Sequence, residues 1–144
     1  MDAIKQYMQP KWWLIVIGAL GFITGVGNYA TAEDSAEIGW GDDYTANDVF
    51  YEKAWGLNQL PISIAALVSG LLLTGRARSI MAMTIAGGFW SSMVVLYPAG
   101  TDAGYGFMAI DMLVVITVIM GGLFTSGYLH LEDCLLYTSD AADD

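Results

Sequence analysis

Cysteine, histidine and proline are scarce in this chain of 144 residues, and charged side chains are few. The sequence holds one cysteine, one histidine and three prolines. A single cysteine excludes an intrachain disulfide and a zinc site made of several cysteines. The single histidine, His130, excludes haem held by two histidines and a zinc or copper site with several histidines in one chain. Charged residues make up 14% of the chain, against about 25% in ordinary soluble domains.

Basic residues are also scarce, and this excludes several classes of function. Five lysines and arginines stand against fifteen acids, which leaves a formal net charge of −10 at pH 7. Such a chain has no positively charged footprint for nucleic acid. The phosphate-binding pattern Gly-x-x-x-x-Gly-Lys is absent, and the apolar segments described below contain no lysine for a retinal-type Schiff base. We therefore expect no cofactor, no metal site and no nucleic-acid partner.

The composition that remains is typical of an integral membrane protein. Hydrophobic residues make up 56% of the chain, and the mean hydropathy is +0.52. A membrane-spanning helix needs about 20 mostly apolar residues. Four segments approach this length, at about 12–30, 58–74, 79–97 and 106–128. The sequence therefore predicts one all-α domain over residues 1–133, an antiparallel bundle of four transmembrane helices.

The last eleven residues, Cys134 to Asp144, do not look like natural sequence. They resemble, in one unbroken run, the translation of a transposase adapter that is used in sequencing libraries. Such scars are excluded from reasoning about the fold. We therefore expect the natural protein to continue past Asp133, and a natural polar tail is the alternative.

The distribution of positive charge predicts the orientation of the chain. Four basic residues flank the apolar segments on one side of the predicted bundle: Lys5, Lys11, Arg76 and Arg78. Because lysine and arginine are enriched in cytoplasmic loops, we expect the N-terminus, the 75–78 loop and the natural C-terminal side in the cytoplasm. In outline the chain is similar to the small four-span bacterial and archaeal membrane proteins, including the DoxX-like group, and this similarity is one of architecture only. We expect the membrane to be a bacterial or archaeal plasma membrane. An alternative is that residues 1–32 form a cleaved secretory signal.

The opposite side receives the connection 31–57, which we expect to be an acidic extracytoplasmic loop. It holds seven acids, one lysine and five large aromatic residues. Thr45 followed by Asp48 resembles a helix start, so the second helix is expected to begin outside the bilayer near Ala46. The spacing of a calcium loop is absent. The interpretations left open are a solvated cap, a membrane contact and a docking surface for a partner.

Small residues recur at helical spacing on all four predicted spans. Lipid does not drive helices together by the hydrophobic effect, so close packing relies on small residues. The glycines that we expect to pack between helices are Gly18, Gly21, Gly25, Gly70, Gly87, Gly88 and Gly122. Their number predicts a compact bundle.

Asp111 is the one acid placed well inside a predicted span. A carboxylate in the bilayer interior costs at least ~2.5 kcal/mol on insertion scales, so we expect it to face the bundle or a water-filled cavity. The polar and aromatic residues at a similar or slightly shallower depth are Trp90, Ser63, Gln59, Asn28 and Tyr97. They predict an outward-facing pocket in which Asp111 binds a ligand or accepts a proton. The alternative is a structural acid that ties helices together.

Three hypotheses for the function are open at this point. The favoured one is an accessory or structural subunit of a membrane complex. The second is a small protein that handles a ligand, ion or proton through Asp111. An enzyme acting on a lipid or quinone ranks last, because the spans offer no second catalytic group beyond hydroxyls and amides, and we assign no catalytic residue. The expected partners are the lipid bilayer and either further copies of the chain or a larger membrane complex.

Overall fold

The computed structural model describes residues 2–132, and all regular structure in that range is helical. The helices are α1 (Asp2–Tyr7), α2 (Pro10–Ala30), α3 (Ala32–Trp40), α4 (Ala46–Leu72), α5 (Gly75–Asp102) and α6 (Ile110–Leu129), with a 3₁₀ turn at Gly106–Met108. The prediction of an all-α protein is confirmed. The expectation about the tail 134–144 lies outside the described residues.

Four stretches of helix are long and apolar enough to cross a membrane. They are Ile4–Ala30, Ala46–Leu72, Gly75–Asp102 and Ile110–Leu129. Many of their large apolar side chains point outward, and Val95 and Val118 are 76% and 69% exposed. Hydrocarbon is the natural surrounding for such faces. The prediction of four helices long and apolar enough to span a membrane is confirmed for residues 2–132, and the chain is compatible with a small multi-pass membrane protein.

α4 begins at Ala46, as the Thr45 pattern predicts. The amide N–H and the hydroxyl of Thr45 each donate to Asp48 Oδ2 at 2.7 Å. With 27 residues, α4 is about 40 Å long, roughly 10 Å longer than the hydrocarbon core of a bilayer. Because Asn28, near the end of α2, lies beside Glu52, the first turns of α4 extend past the end of α2.

The connection 31–57, for which we expect an acidic loop, is largely helical. α3 covers residues 32–40 and the first turns of α4 cover 46–57, which leaves 41–45 without helix. Small residues at helical spacing form the buried face of α3: Ala32, Ser35, Ala36 and Gly39. The acids of α3 are exposed on its other side. Two of them lie in its first turn, where negative charge stabilises a helix.

α2 and α4 form one closely packed pair, with glycine at the seam. Gly25 of α2 faces Gly56 of α4, and a Cβ built on Gly25 would lie 2.9 Å from the Gly56 carbonyl oxygen. Toward the other end of the pair, Gly70 lies against Ile15. Small residues let helix backbones approach this closely, which gains van der Waals contact in a membrane.

α5 and α6 form the second closely packed pair. Gly127 of α6 lies against the carbonyl oxygen of Ser79, and Trp90 Nε1 donates to Thr117 Oγ1 at 3.0 Å. The two pairs meet in a core contributed by all four spans: Leu14, Ala66, Ala82, Ala86, Met120 and Leu123. The four spans therefore share one apolar core.

One end of the four spans is covered by additional structure. α3, the first turns of α4 (46–57) and the 103–109 connection gather there, and this region is called the capped end below. Gly106 lies against the carbonyl oxygen of Ile38, which brings the connection onto α3. The capped end contains the polar cluster from which the candidate site is built.

Candidate functional site

Asp111 is exposed at the start of α6, as its second residue. Its Oδ1 atom accepts a hydrogen bond from the amide of Met112 at 2.9 Å. A carboxylate in the first turn of a helix is stabilised by the helix dipole. The position of this acid is therefore explained by the helix end on which it lies.

The other five residues of the predicted pocket lie on three different helices, α2, α4 and α5. Trp90 bonds to α6, as described above. Ser63 is buried, and its hydroxyl donates to the Gln59 carbonyl within α4 at 2.8 Å. Tyr97 lines a small cavity of about 10 Å³, about the size that holds one water molecule. Asn28 belongs to a polar cluster that none of the other four joins.

That cluster is built around Glu52, a buried carboxylate on the second turn of α4 that is 2% exposed. The Tyr105 hydroxyl donates to Glu52 Oε1 at 2.7 Å. Asn28 Nδ2 donates to Glu52 Oε2 at 3.1 Å and to the Glu52 backbone oxygen at 3.0 Å. These three residues, called the Glu52 cluster, join α2, α4 and the connection between α5 and α6.

Aromatic rings surround Tyr105 at the capped end. The Tyr105 ring lies 4.7 Å from the Trp40 ring and 5.5 Å from the Phe107 ring, centroid to centroid. Gly39 leaves room for Tyr105, because a side chain at this position would meet its ring. Trp40 Nε1 is buried without a hydrogen-bond partner among residues 2–132. The packed rings shield the bond between Tyr105 and Glu52 from water.

The electrostatics of the cluster follow from this burial. Burial raises the pKa of Tyr105 well above the ordinary value of a tyrosine, and the hydrogen bond to Glu52 and the charge of Glu52 raise it further. Tyr105 is therefore a neutral donor at physiological pH. Removing a carboxylate from water is costly unless charge-assisted hydrogen bonds replace its hydration. Tyr105 and Asn28 supply those bonds.

The hydrogen bonds of the Glu52 cluster hold three elements together. Both carboxylate oxygens accept hydrogen bonds from the chain itself. Nowhere in the described part of the chain do three His, Cys, Asp or Glu side chains gather closely enough to hold a metal ion. We interpret Glu52 as a tie between three elements that are distant in sequence.

The spacing of residues along α4 indicates that Glu52 lies on the packing face of this helix, although the composition of the segment does not. The small and polar face of α4 includes Gln59 and Ser63, and the same spacing of three and four residues leads back to Gly56 and Glu52. Residues at this spacing share one face of a helix. Because Glu52 is one of seven acids in the connection 31–57, the charge of that segment draws attention away from the spacing.

A second feature is a small-residue face on α5 that the described residues leave open. It comprises Thr84, Gly87, Gly88 and Ser91, and is called the α5 face below. A Cβ built on Gly87 or Gly88 would meet nothing within 4 Å. The other glycines predicted to pack each contact a neighbouring helix: Gly18, Gly21, Gly25, Gly70 and Gly122. The α5 face therefore has the composition of a packing surface, but no helix within residues 2–132 packs against its two glycines.

Comparison with known proteins yields no relative for this chain. No protein-family model matches it, and neither a curated protein nor a solved structure is similar enough to count as a match. Its function is therefore inferred from its own residues.

Proposed function

We propose that this protein is an accessory subunit of a membrane complex and that the α5 face binds the neighbouring chain. The observation that carries the proposal is the open surface at Gly87 and Gly88. Glycine destabilises a helix by about 1 kcal/mol relative to alanine. In a membrane, small residues offset that cost where they let another helix approach closely. Two adjacent glycines that meet no such contact within residues 2–132 fit packing against another chain.

The proposal includes an antiparallel bundle whose capped end is extracytoplasmic. The contacts of Gly25 with Gly56 and of Ile15 with Gly70 support opposite directions for α2 and α4. Lysine and arginine near the ends of the spans favour the cytoplasmic side. Four of the five basic residues lie outside the segments that form the capped end: Lys5, Lys11, Arg76 and Arg78.

The alternative function, ligand or proton handling through Asp111, has less support. Small-molecule sites are concave and bury most of the ligand. Asp111 is exposed at a helix end, and three of the five side chains predicted to surround it, Asn28, Ser63 and Trp90, hydrogen-bond to other residues.

The proposal that the α5 face binds another chain is tested by placing large side chains on that face. In the double variant Gly87→Leu, Gly88→Leu, two bulky side chains project from the surface on which a partner helix would pack. We expect wild-type protein, extracted from its native membrane in mild detergent, to migrate in an assembly larger than one chain of 15.5 kDa. The double variant should migrate as a single chain. Native mass spectrometry then identifies whether the assembly holds further copies or another protein.

Gly27→Leu is the matched control, because a Cβ at Gly27 also meets nothing within 4 Å and this residue lies on α2. It makes the same change at an open position on another helix, and the assembly should persist. Wild-type protein that is monomeric under these conditions, or a double variant that assembles normally, would contradict the proposal.

A further inference from the structure

We propose that a groove at the capped end binds a basic segment of the partner protein, an inference that rests on the accessory function proposed above. The groove lies between α3 and the first turns of α4. Its lining includes Glu33 of α3, Tyr44 of the intervening loop, and Val49, Phe50 and Lys53 of α4. Its volume is about 530 Å³, within the range of about 300–1,000 Å³ for small-molecule pockets, and it is open to the surroundings.

Large apolar side chains are exposed at this groove. Phe50 is 65% exposed and the neighbouring Tyr51 is 62% exposed, and their rings meet edge to face with centroids 6.0 Å apart. α3 leaves both rings exposed, and its own exposed side carries three acids. Exposed apolar groups that are rimmed by polar residues mark interaction sites.

The charge around the groove favours a protein over a lipid surface as the occupant. Six carboxylates besides Glu52 lie in residues 31–57: Glu33, Asp34, Glu37, Asp42, Asp43 and Asp48. Lys53 is the single basic residue of that segment. Anionic headgroups attract basic protein segments, so this acidic surface is repelled by them. A segment that carries both arginine or lysine and an aromatic side chain complements the acids and the exposed rings.

The groove also predicts how such a segment binds. Its aromatic side chain packs beside Val49 and Phe50, and a cationic side chain pairs with Glu33. Lys53 lines the same groove and repels a cation there. Removal of the Lys53 charge should therefore strengthen binding, while removal of the Glu33 charge should weaken it.

The probe for this inference is the fluorescent peptide acetyl-Arg-Arg-Trp-Arg-Arg-amide, titrated by anisotropy against the full chain in phosphatidylcholine nanodiscs. Empty nanodiscs give the background. We expect Phe50→Ser to weaken binding about tenfold, as for a buried aromatic anchor, and Glu33→Gln to weaken it about threefold, as for an exposed ion pair. Lys53→Gln should tighten binding by a similar factor. The peptide with glutamate in place of arginine should not bind.

Two control variants separate the groove from the acidic surface in general. Asp102→Asn removes an exposed acid of α5, and Ile38→Ser removes an exposed apolar side chain of α3 that does not line the groove. Both should bind as wild type does. Equal binding by all variants would mean unspecific attraction to acids and would overturn the inference, and so would the absence of binding.

A lipid occupant is detected by a nitroxide spin label on Phe50→Cys in a Cys134→Ser background. A label that is accessible to oxygen but shielded from a water-soluble nickel complex would place Phe50 in lipid and overturn the inference. Peptide binding by the isolated chain and assembly through the α5 face are separate measurements. Failure of the groove proposal can therefore be told apart from failure of the proposed accessory function.

Discussion

Glu52 and Asp111 are carboxylates in comparable sequence surroundings whose places in the fold differ. Each lies near the start of an apolar helix, at the seventh residue of α4 and the second of α6. Glu52 is buried and accepts hydrogen bonds from Tyr105 and Asn28, while Asp111 is exposed. The difference arises because two distant segments reach Glu52, and position along its own helix does not reveal that.

At the residue scale, Tyr105→Phe tests the Glu52 cluster. Loss of the hydroxyl leaves Glu52 Oε1 without its donor, so we expect the free energy of unfolding to fall by about 1–3 kcal/mol. The unfolded tyrosine ionises near pH 10, whereas folding raises the pKa of Tyr105. The folded state therefore holds this proton more tightly, and that part of the stability is present below pH 10 and is lost as the pH rises further. The difference between wild type and variant should shrink above pH 10.

The measurement is reversible unfolding in mixed micelles at several pH values between 7 and 12. Tyr128→Phe is the control, because Tyr128 is 64% exposed on α6, and its effect should stay within about 0.5 kcal/mol. If Tyr105→Phe were as stable as Tyr128→Phe at pH 7, the Glu52 cluster would not be a structural tie.

At the scale of the element, the end of a helix depends on residues close to it in sequence, whereas the contact between two helices depends on residues that are distant in sequence. The sequence predicts a span that ends at residue 97, but α5 continues through Pro98 to Asp102. The Thr101 hydroxyl donates to the carbonyls of Tyr97 and Pro98 at 3.0 and 2.9 Å, which supports the backbone next to the proline. The mean hydropathy falls after Tyr97, but the helix continues to Asp102. A fall in hydropathy therefore does not mark the end of this helix.

Gly25→Ala tests the seam between α2 and α4. The added methyl group would lie 2.9 Å from the Gly56 carbonyl oxygen, so the helices must separate, and we expect a loss of about 1–3 kcal/mol. Gly27→Ala is the matched control on the same helix, where a Cβ meets nothing within 4 Å. It should be neutral or stabilise by up to about 1 kcal/mol. The measurement is the free energy of unfolding of both variants in micelles. Equal values for Gly25→Ala and Gly27→Ala would exclude close packing at Gly25.

At the scale of the whole molecule, the two ends of the spans differ in charge and in structure. The capped end gathers α3, the start of α4 and the 103–109 connection, and residues 31–57 carry seven of the fifteen acids. The basic residues near the start of α2 and of α5 belong to the other end. This asymmetry supports one orientation in the membrane.

Single cysteines in a Cys134→Ser background test that orientation. Asp42→Cys at the capped end should react with a membrane-impermeant maleimide in intact cells, because the positive-inside rule places this end outside. Arg76→Cys should react only after the membrane is permeabilised. Both positions are exposed, so accessibility within the protein is matched. The opposite labelling pattern would reverse the proposed topology.

Local properties of the sequence determine the class of this protein. Four apolar stretches predict four spans, and the Thr45–Asp48 pair predicts where α4 starts, because hydropathy and helix capping depend on residues within a few positions of each other. The folding of residues 32–40 also has a local cause, since small residues recur there at helical spacing.

Only the tertiary structure decides which polar group is buried and which glycines are covered. Tyr105 is 53 residues from Glu52 in the chain, and Asn28 is 24 residues from it. Gly18, Gly21 and Gly25 of α2 are covered because α4 packs on them, whereas no helix within residues 2–132 covers Gly87 and Gly88. A residue is buried when a segment distant in sequence packs against it. The few residues on either side of it in the chain do not determine whether this happens.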